Sequence, residues 1–268
     1  MSISVVIPGV LGRMGRILAN YAMTQEGWEL IGVTERHDHP DLTRDIGRIL
    51  RGEPNGILIE NDLRNVIVAA KVIIDFTAPD ASIWHAEVAA EGKIPIVIGT
   101  TGLTAAHKER LAEYAKLTPI VYSPNMSVGV NLLWKTAQTL ATVLGDEYDC
   151  EIIETHHRHK ADAPSGTAVR LAEVIAEAWE KEADAITDHG RKGIVGEREY
   201  GRIGMHAVRG GDVVGEHTVR FLADGEEVFI GHRASNRENF VKGAYKAALF
   251  LQKAEPGLYN MWDVLKLN

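Results

Sequence analysis

Short apolar runs recur along the first half of the chain at Ile3–Ile7, Trp28–Thr34, Val72–Phe76, Ile94–Ile98 and Ile120–Tyr122. Their length and their β-branched content predict strands. Between them lie segments such as Arg13–Thr24, Ser82–Glu91 and Ala105–Lys116, where apolar residues fall three or four apart, the period of a helix with one buried stripe. Strand and helix in alternation predict a parallel sheet wound with helices, in which two successive units make a nucleotide-binding half.

After Asn125 the rhythm changes. A long helical stretch, Gly129–Leu144, is followed by a strand-like Cys150–Thr155 and an amphipathic helix from Thr167 to about Lys181. Thr187–Gly201 is rich in charge and glycine and reads as a loop or lid. Three alternating segments follow, Ile203–Val208, Val213–Leu222 and Glu227–His232, the pattern of an antiparallel sheet with one covered face. Arg237–Lys253 is helical again, with Phe240, Ala244, Ala247 and Ala248 on one face, and is expected to pack back on the first domain. The chain therefore divides into residues 1–126 with 237–268, an α/β domain, and residues 127–236, an α+β domain.

Composition narrows the class. With 268 residues, 45% of them hydrophobic, the chain can bury large cores, and no run reaches the roughly 20 apolar residues of a membrane span. The amino terminus lacks the plan of a secretory signal, so a cytoplasmic location is expected. A single cysteine, Cys150, excludes an intrachain disulfide and a thiolate-rich metal centre. The net charge of −8 gives no footprint for nucleic acid.

The first strand runs into Pro8-Gly9-Val10-Leu11-Gly12-Arg13-Met14-Gly15 and then a helix. Glycines at this junction let the backbone turn sharply and approach a pyrophosphate, which the helix amino terminus attracts. Val10 stands where the usual pattern has its first glycine, and tight strand-to-helix packing without a ligand is the competing reading. Glu35, 20 positions after Gly15 at the end of the second strand, suits the adenosine ribose hydroxyls. Arg36 beside it suits a 2′-phosphate, so the pair predicts use of either NADH or NADPH. Three further strand ends, Asp75-Phe76-Thr77, Gly99-Thr100-Thr101 and Ser123-Pro124-Asn125-Met126, carry small polar residues that would line the nicotinamide half, or that serve as ordinary turn chemistry.

The stretch Glu154-Thr155-His156-His157-Arg158-His159-Lys160-Ala161-Asp162-Ala163-Pro164-Ser165-Gly166-Thr167 holds five consecutive residues able to carry positive charge. A metal site is disfavoured because the histidines lack a one-face helical spacing and no acidic partner stands out. A solvated basic patch is the bland alternative. Asp162 and Pro164 are good helix-start residues, so the amides of Ser165, Gly166 and Thr167 would open the next helix and bind a carboxylate. Histidines and Lys160 would add charged donors and proton donors, and the whole suits a small dicarboxylate.

The run EIIETHHRHKADAPSGTA resembles the signature of the dihydrodipicolinate reductases. GVLGRMGR, DFT, GTTG, SPNMSVGVN, RGGDVVGEH and HRASNRENFVKGA extend the resemblance over nearly the whole chain. It implies a Rossmann-type domain plus a substrate-binding and oligomerisation domain, and NADH- or NADPH-dependent reduction of 4-hydroxy-tetrahydrodipicolinate in lysine and diaminopimelate biosynthesis. It also implies proton transfer by His156 and Lys160, substrate binding by His157, Gly166 and Thr167, and cofactor binding by Gly9 to Met14, Glu35, Arg36, Gly99 to Thr101 and Ser123 to Met126. A homotetramer joined through the second domain's sheet, and a hinge near Asn125 and Asn236, are further expectations of this kind. Another nicotinamide dehydrogenase acting on an amino or keto acid, and a non-catalytic dinucleotide sensor, are the rival readings.

Overall fold

The computed structural model describes residues 2–268. The chain separates into two units, the first holding residues up to Ser127 together with Glu238–Lys266, the second Val128–Arg237. In chain order the first unit contains β1 (Ile3–Pro8), α1 (Arg13–Thr24), β2 (Trp28–Thr34), α2 (Ile46–Arg51), β3 (Ile59–Glu60), β4 (Val72–Asp75), α3 (Pro79–Gly92), β5 (Ile96–Ile98), α4 (Ala105–Ala115) and β6 (Pro119–Tyr122). The second unit contains α5 (Val128–Leu144), β7 (Asp149–His156), α6 (Gly166–Ala178), α7 (Ala183–Ile186), β8 (Thr187–His189), β9 (Ile203–Arg209), β10 (Gly215–Ala223) and β11 (Glu226–Ala234). The chain then returns to the first unit with α8 (Glu238–Leu251), β12 (Gly257–Tyr259) and α9 (Met261–Leu265).

The first unit is an all-parallel sheet in the order β12-β6-β5-β4-β1-β2-β3. Helices bury both of its faces, which is why its strands read as unbroken apolar runs. Val5 and Ile7 of β1 join Leu18 and Ala19 of α1 and Val241, Ala244 and Tyr245 of α8 in one core. Val6, on the other side of the same strand, joins Ile83 of α3 and Leu111 of α4 in a second. The Tyr245 hydroxyl donates to the Leu18 carbonyl at 2.9 Å, which satisfies its only polar group inside the core. The strand order reverses at β1, and the crevice outside the strand ends there is where ligands of such sheets bind.

The second unit's sheet runs β11-β10-β7-β9-β8. It is mixed rather than antiparallel: β10 is antiparallel to β7 and β11, but β7, β9 and β8 are parallel. The parallel pairing arises because the long connection carrying α6 crosses over between β7 and β9. The charged segment read as a loop begins with a strand, β8, held by backbone pairing to β9. The helix expected to run to Lys181 ends at Ala178. Along β7, Cys150, Ile152 and Glu154 are buried on alternate positions, so the period of two carries a carboxylate inward beside aliphatic neighbours.

Candidate active site

In the first unit the turn after β1 is built by two close approaches and an uncapped helix start. Gly9 adopts a positive φ of +63°, and a Cβ there would sit 2.6 Å from the Thr77 methyl. A Cβ at Gly15 would sit 2.2 Å from the Gly9 carbonyl oxygen, so α1 packs against the turn at a distance only glycine permits. Gly12, at the N-cap of α1, offers no side-chain cap, and the amides of the first turn stay open to an anion. The turn opens on a cavity of about 610 Å³ lined by Gly9, Gly12, Arg13, Met14, Glu35 and Arg36, with Phe76, Thr77, Trp84 and His85 opposite. Its size, its glycine cradle and its uncapped helix start fit a dinucleotide.

Other predicted cofactor residues play different local parts. Val10 is fully buried, so only its backbone is available to a ligand. The Leu11 amide donates to Glu35 Oε2 at 3.0 Å, and the Arg36 amide donates to Glu35 Oε1 at 3.1 Å, so this carboxylate also holds the turn. Arg36 pairs with Asp38 at 3.1 Å, with both side chains exposed, a competitor for any phosphate that the sequence reading overlooked. Gly99 lies against the Phe76 ring, where a Cβ would come within 2.3 Å. Thr100 accepts from Ser82 at 2.7 Å, while Thr101 and Pro124 are exposed. Ser123 donates to the Asn125 carbonyl at 2.8 Å, Asn125 Oδ1 accepts from the Ser127 amide at 2.9 Å, and Met126 is buried. These two strand ends are not among the residues lining the cavity. Trp84 and His85 were not anticipated. His85 is buried on α3, and its Nδ1 lies 2.7 Å from Asp75 Oδ2.

In the second unit the basic cluster follows β7 as a turn pinned to the β9–β10 connection. The His157 amide donates to the Val213 carbonyl at 2.7 Å, Arg158 to Gly211 at 3.2 Å, and Gly210 returns a bond to the His156 carbonyl at 3.0 Å. The cluster has acidic partners after all. Lys160 Nζ sits 2.8 Å from Asp162 Oδ2, and His156 Nδ1 sits 2.6 Å from Glu154 Oε2. Asp162 and Pro164 do not start the helix: Ser165 is the N-cap of α6, its Oγ accepting from the Ala168 amide at 3.2 Å. The Ser165 amide donates to Glu154 Oε1 at 3.0 Å, so of the three amides assigned to substrate this one is already engaged. Gly166 and Thr167 stand at the first two helical positions, where amides have no partner within the helix. Trp134 of α5 donates to the Thr167 carbonyl at 3.1 Å and fixes this end of α6.

Arg209 and His217 complete the cluster. Arg209 donates to Glu154 from both terminal nitrogens, at 2.8 and 2.7 Å. His217, which pairs with Glu154 across β10 and β7, has its Nε2 2.9 Å from Ser165 Oγ and its ring 5.2 Å from that of His156. Burial pushes the His217 pKa down to about 3, and His156 nearby adds to the shift. Burial also lowers the His156 pKa, Glu154 opposes the fall, and Lys160 and Arg209 reinforce it. For Glu154, burial works to raise the pKa, but the Arg209, His156 and Ser165 donors outweigh it and hold the carboxyl below its usual range.

A dinucleotide cleft on a parallel sheet, joined to a second unit whose basic cluster borders an open helix start, defines an oxidoreductase of the two-domain nicotinamide-dependent type. The family model described as dihydrodipicolinate reductase, N-terminus, matches residues 3–126, and that for the C-terminus of the same enzyme matches residues 129–265. The chain belongs to the dihydrodipicolinate reductase family. It is 48% identical over 260 residues to the 4-hydroxy-tetrahydrodipicolinate reductase of Syntrophus aciditrophicus strain SB, covering 97% of each chain. Identity to the 4-hydroxy-tetrahydrodipicolinate reductase of Thiobacillus denitrificans is 45% over 267 residues, a coverage of 100% for each chain. A solved structure of dipicolinate-bound dihydrodipicolinate reductase from Paenisporosarcina sp. TG-14 superimposes with a TM-score of 0.79 at 27% identity, covering 98% of this chain and 99% of that one. Among the described residues no helix is long and apolar enough to cross a membrane.

Proposed function

We propose that the protein reduces 4-hydroxy-tetrahydrodipicolinate to tetrahydrodipicolinate in lysine and diaminopimelate biosynthesis, taking up a hydride and a proton and releasing water. The observation that carries this reading is the meeting of His156 and the start of α6 at Glu154, which puts a proton donor beside a carboxylate-binding helix end. The full-length identity to named 4-hydroxy-tetrahydrodipicolinate reductases supports the substrate.

NADH or NADPH, held by the glycine turn of the first unit, supplies the hydride when bound. The second unit's own residues do the rest. The Gly166 and Thr167 amides and His157 hold the two substrate carboxylates, and the Ser165 hydroxyl caps the helix that presents them. Lys160 and His156 deliver the proton, His156 from Nε2 because its Nδ1 faces Glu154. In the free protein His156 titrates below its ordinary range. Two substrate carboxylates alongside raise that value and favour the charged, proton-donating ring. Work as a cytoplasmic homotetramer belongs to the same reading.

A coupled assay tests it: dihydrodipicolinate synthase, pyruvate and aspartate semialdehyde are mixed with NADH, and this protein is added. Loss of nicotinamide absorbance only when the synthase is active is the expected result. Oxidation that proceeds equally with simple keto acids would overturn the substrate assignment.

A further inference from the structure

The Glu154 side chain is fully buried, and every group around it is a donor. Oε2 faces His156 Nδ1 at 2.6 Å and Arg209 Nη1 at 2.8 Å; Oε1 faces the Ser165 amide at 3.0 Å and Arg209 Nη2 at 2.7 Å. Isolated buried carboxylates are costly, and a fold needing only a filler beside Ile152 would place an aliphatic residue here. A carboxylate shared between the histidine and the capping residue of α6 does what no aliphatic side chain does.

We propose that Glu154 is the positioning residue of this site, fixing the orientation and tautomer of His156 and tying that ring to the start of α6, so that proton donor and carboxylate cradle hold one spacing. The proposal rests on the function stated above and adds to it a residue that touches neither substrate nor cofactor.

The geometry gives the direction of each effect. With Nδ1 donating to Glu154, the neutral ring keeps its proton there, and Nε2 is the nitrogen that gains and loses the second one. On β10, Gly215 leaves Nε2 uncovered: a Cβ at that position would stand 3.1 Å from it. The ionisable groups facing His156 are Glu154 on its own strand, Lys160 on the turn that follows, Arg209 at the end of β9 and His217 on β10. Glu154 is the only acid among them, and its charge is what keeps the imidazolium accessible among three basic neighbours. Arg209 is tied down independently, by the Asp162 carbonyl at 2.7 Å and the Val208 carbonyl at 2.8 Å, so it survives loss of its partner as a fixed cation.

Glu154→Gln is the direct test. Whichever way the amide turns, its nitrogen meets Arg209 together with either His156 or the Ser165 amide, so two donors lose their acceptor. Expected in the holoenzyme are a fall in kcat of roughly 10²-fold and an alkaline limb of the kcat profile displaced downward by about one pH unit. Substrate KM rises and NADH affinity is unchanged. Glu154→Asp keeps the charge, so the limb stays near its wild-type position while turnover falls through shorter reach. Histidine ¹⁵N spectra of the wild-type protein without substrate are expected to show His156 protonated at Nδ1 and titrating at Nε2. These spectra and the Asp variant carry the test if the Gln variant does not fold. Wild-type turnover and pH profile in Glu154→Gln, or a neutral His156 protonated at Nε2, would overturn the proposal. Full activity in His156→Ala would instead remove the proton-donor role itself, a failure that leaves the tautomer measurement standing, so the two are distinguishable.

Discussion

His217 Nε2 lies 2.9 Å from Ser165 Oγ, so a histidine near the start of β10 braces the residue that caps α6. The cap oxygen accepts from the Ala168 amide, and its own hydrogen is then free to go to a neutral imidazole. Burial keeps that imidazole neutral down to about pH 3.

Stability is therefore expected to depend on His217 in mildly acidic solution. Between the ordinary histidine value of 6.5 and about 3, the unfolded chain binds a proton that the folded one refuses. Stability contributed by this group is complete above 6.5 and is lost as pH falls through that window. From pH 7 to pH 4 the loss approaches roughly 3 kcal/mol at most, at about 1.4 kcal/mol per pH unit. Melting curves of wild type and His217→Asn check it: the variant is less stable at neutral pH, and the gap narrows at pH 4. A gap that stays constant would mean that His217 is not held neutral.

Lys160→Ala is expected to lower kcat by roughly 10²-fold while leaving NADH binding intact, the usual effect of losing a general acid. Asp162 holds the Lys160 ammonium but is itself exposed, so Asp162→Asn is expected to change kcat much less. Stopped-flow turnover with the synthase product, alongside fluorescence titration of NADH, separates the two variants. Wild-type turnover in Lys160→Ala would reduce the cluster to an electrostatic guide.

Gly166→Pro isolates a single backbone donor. Gly166 is the first helical residue of α6, a Cβ there meets open space, and Ser165 before it has the extended conformation that precedes proline (φ −67°, ψ 150°). The helix should start as before with one N–H fewer. Substrate KM is expected to rise by about tenfold, the size of one hydrogen bond to a charged group, with kcat and melting temperature near wild type. An unchanged KM would take the Gly166 amide out of substrate binding.

Cofactor choice is expected to follow the Arg36–Asp38 pair, 3.1 Å apart on the rim of the cleft. Arg36→Ala should raise KM for NADPH far more than for NADH, whereas Asp38→Asn, by releasing the guanidinium, should lower KM for NADPH. Steady-state rates with both cofactors decide this, and parallel changes for the two would remove Arg36 from recognition of the 2′-phosphate.

The parts of this protein visible from its sequence are those that local chemistry determines. The five inner strands of the first sheet are legible to within a residue or two because burial on both faces demands unbroken apolar runs. The edge strands Ile59–Glu60 and Gly257–Tyr259 are only two and three residues long, and Thr187–His189 lies in a charged segment where only backbone pairing to β9 makes a strand. Among the candidate site residues, the glycine turn and the histidine cluster are each contiguous in sequence and so are legible. Glu154 carried a readable signal, the alternation Cys150, Ile152, Glu154, but polarity in a buried register was passed over. Arg209 and His217 became partners only through strand register, His156 opposite Arg209 and Glu154 opposite His217, which no local window contains.

The first unit is assembled from two stretches of chain, with α8 and β12 contributed after the whole second unit. On the ribosome this sets an order of events. When residues up to Ser127 have emerged, Leu18 and Ala19 still lack Val241, Ala244 and Tyr245, and β6 lacks its neighbour β12. About 110 residues must be translated before α8 appears, a delay of roughly 5 to 20 seconds at ordinary elongation rates. Throughout that interval the nascent chain displays an apolar helix-docking face and an unpaired sheet edge, the surfaces a chaperone holds and a slow codon leaves exposed.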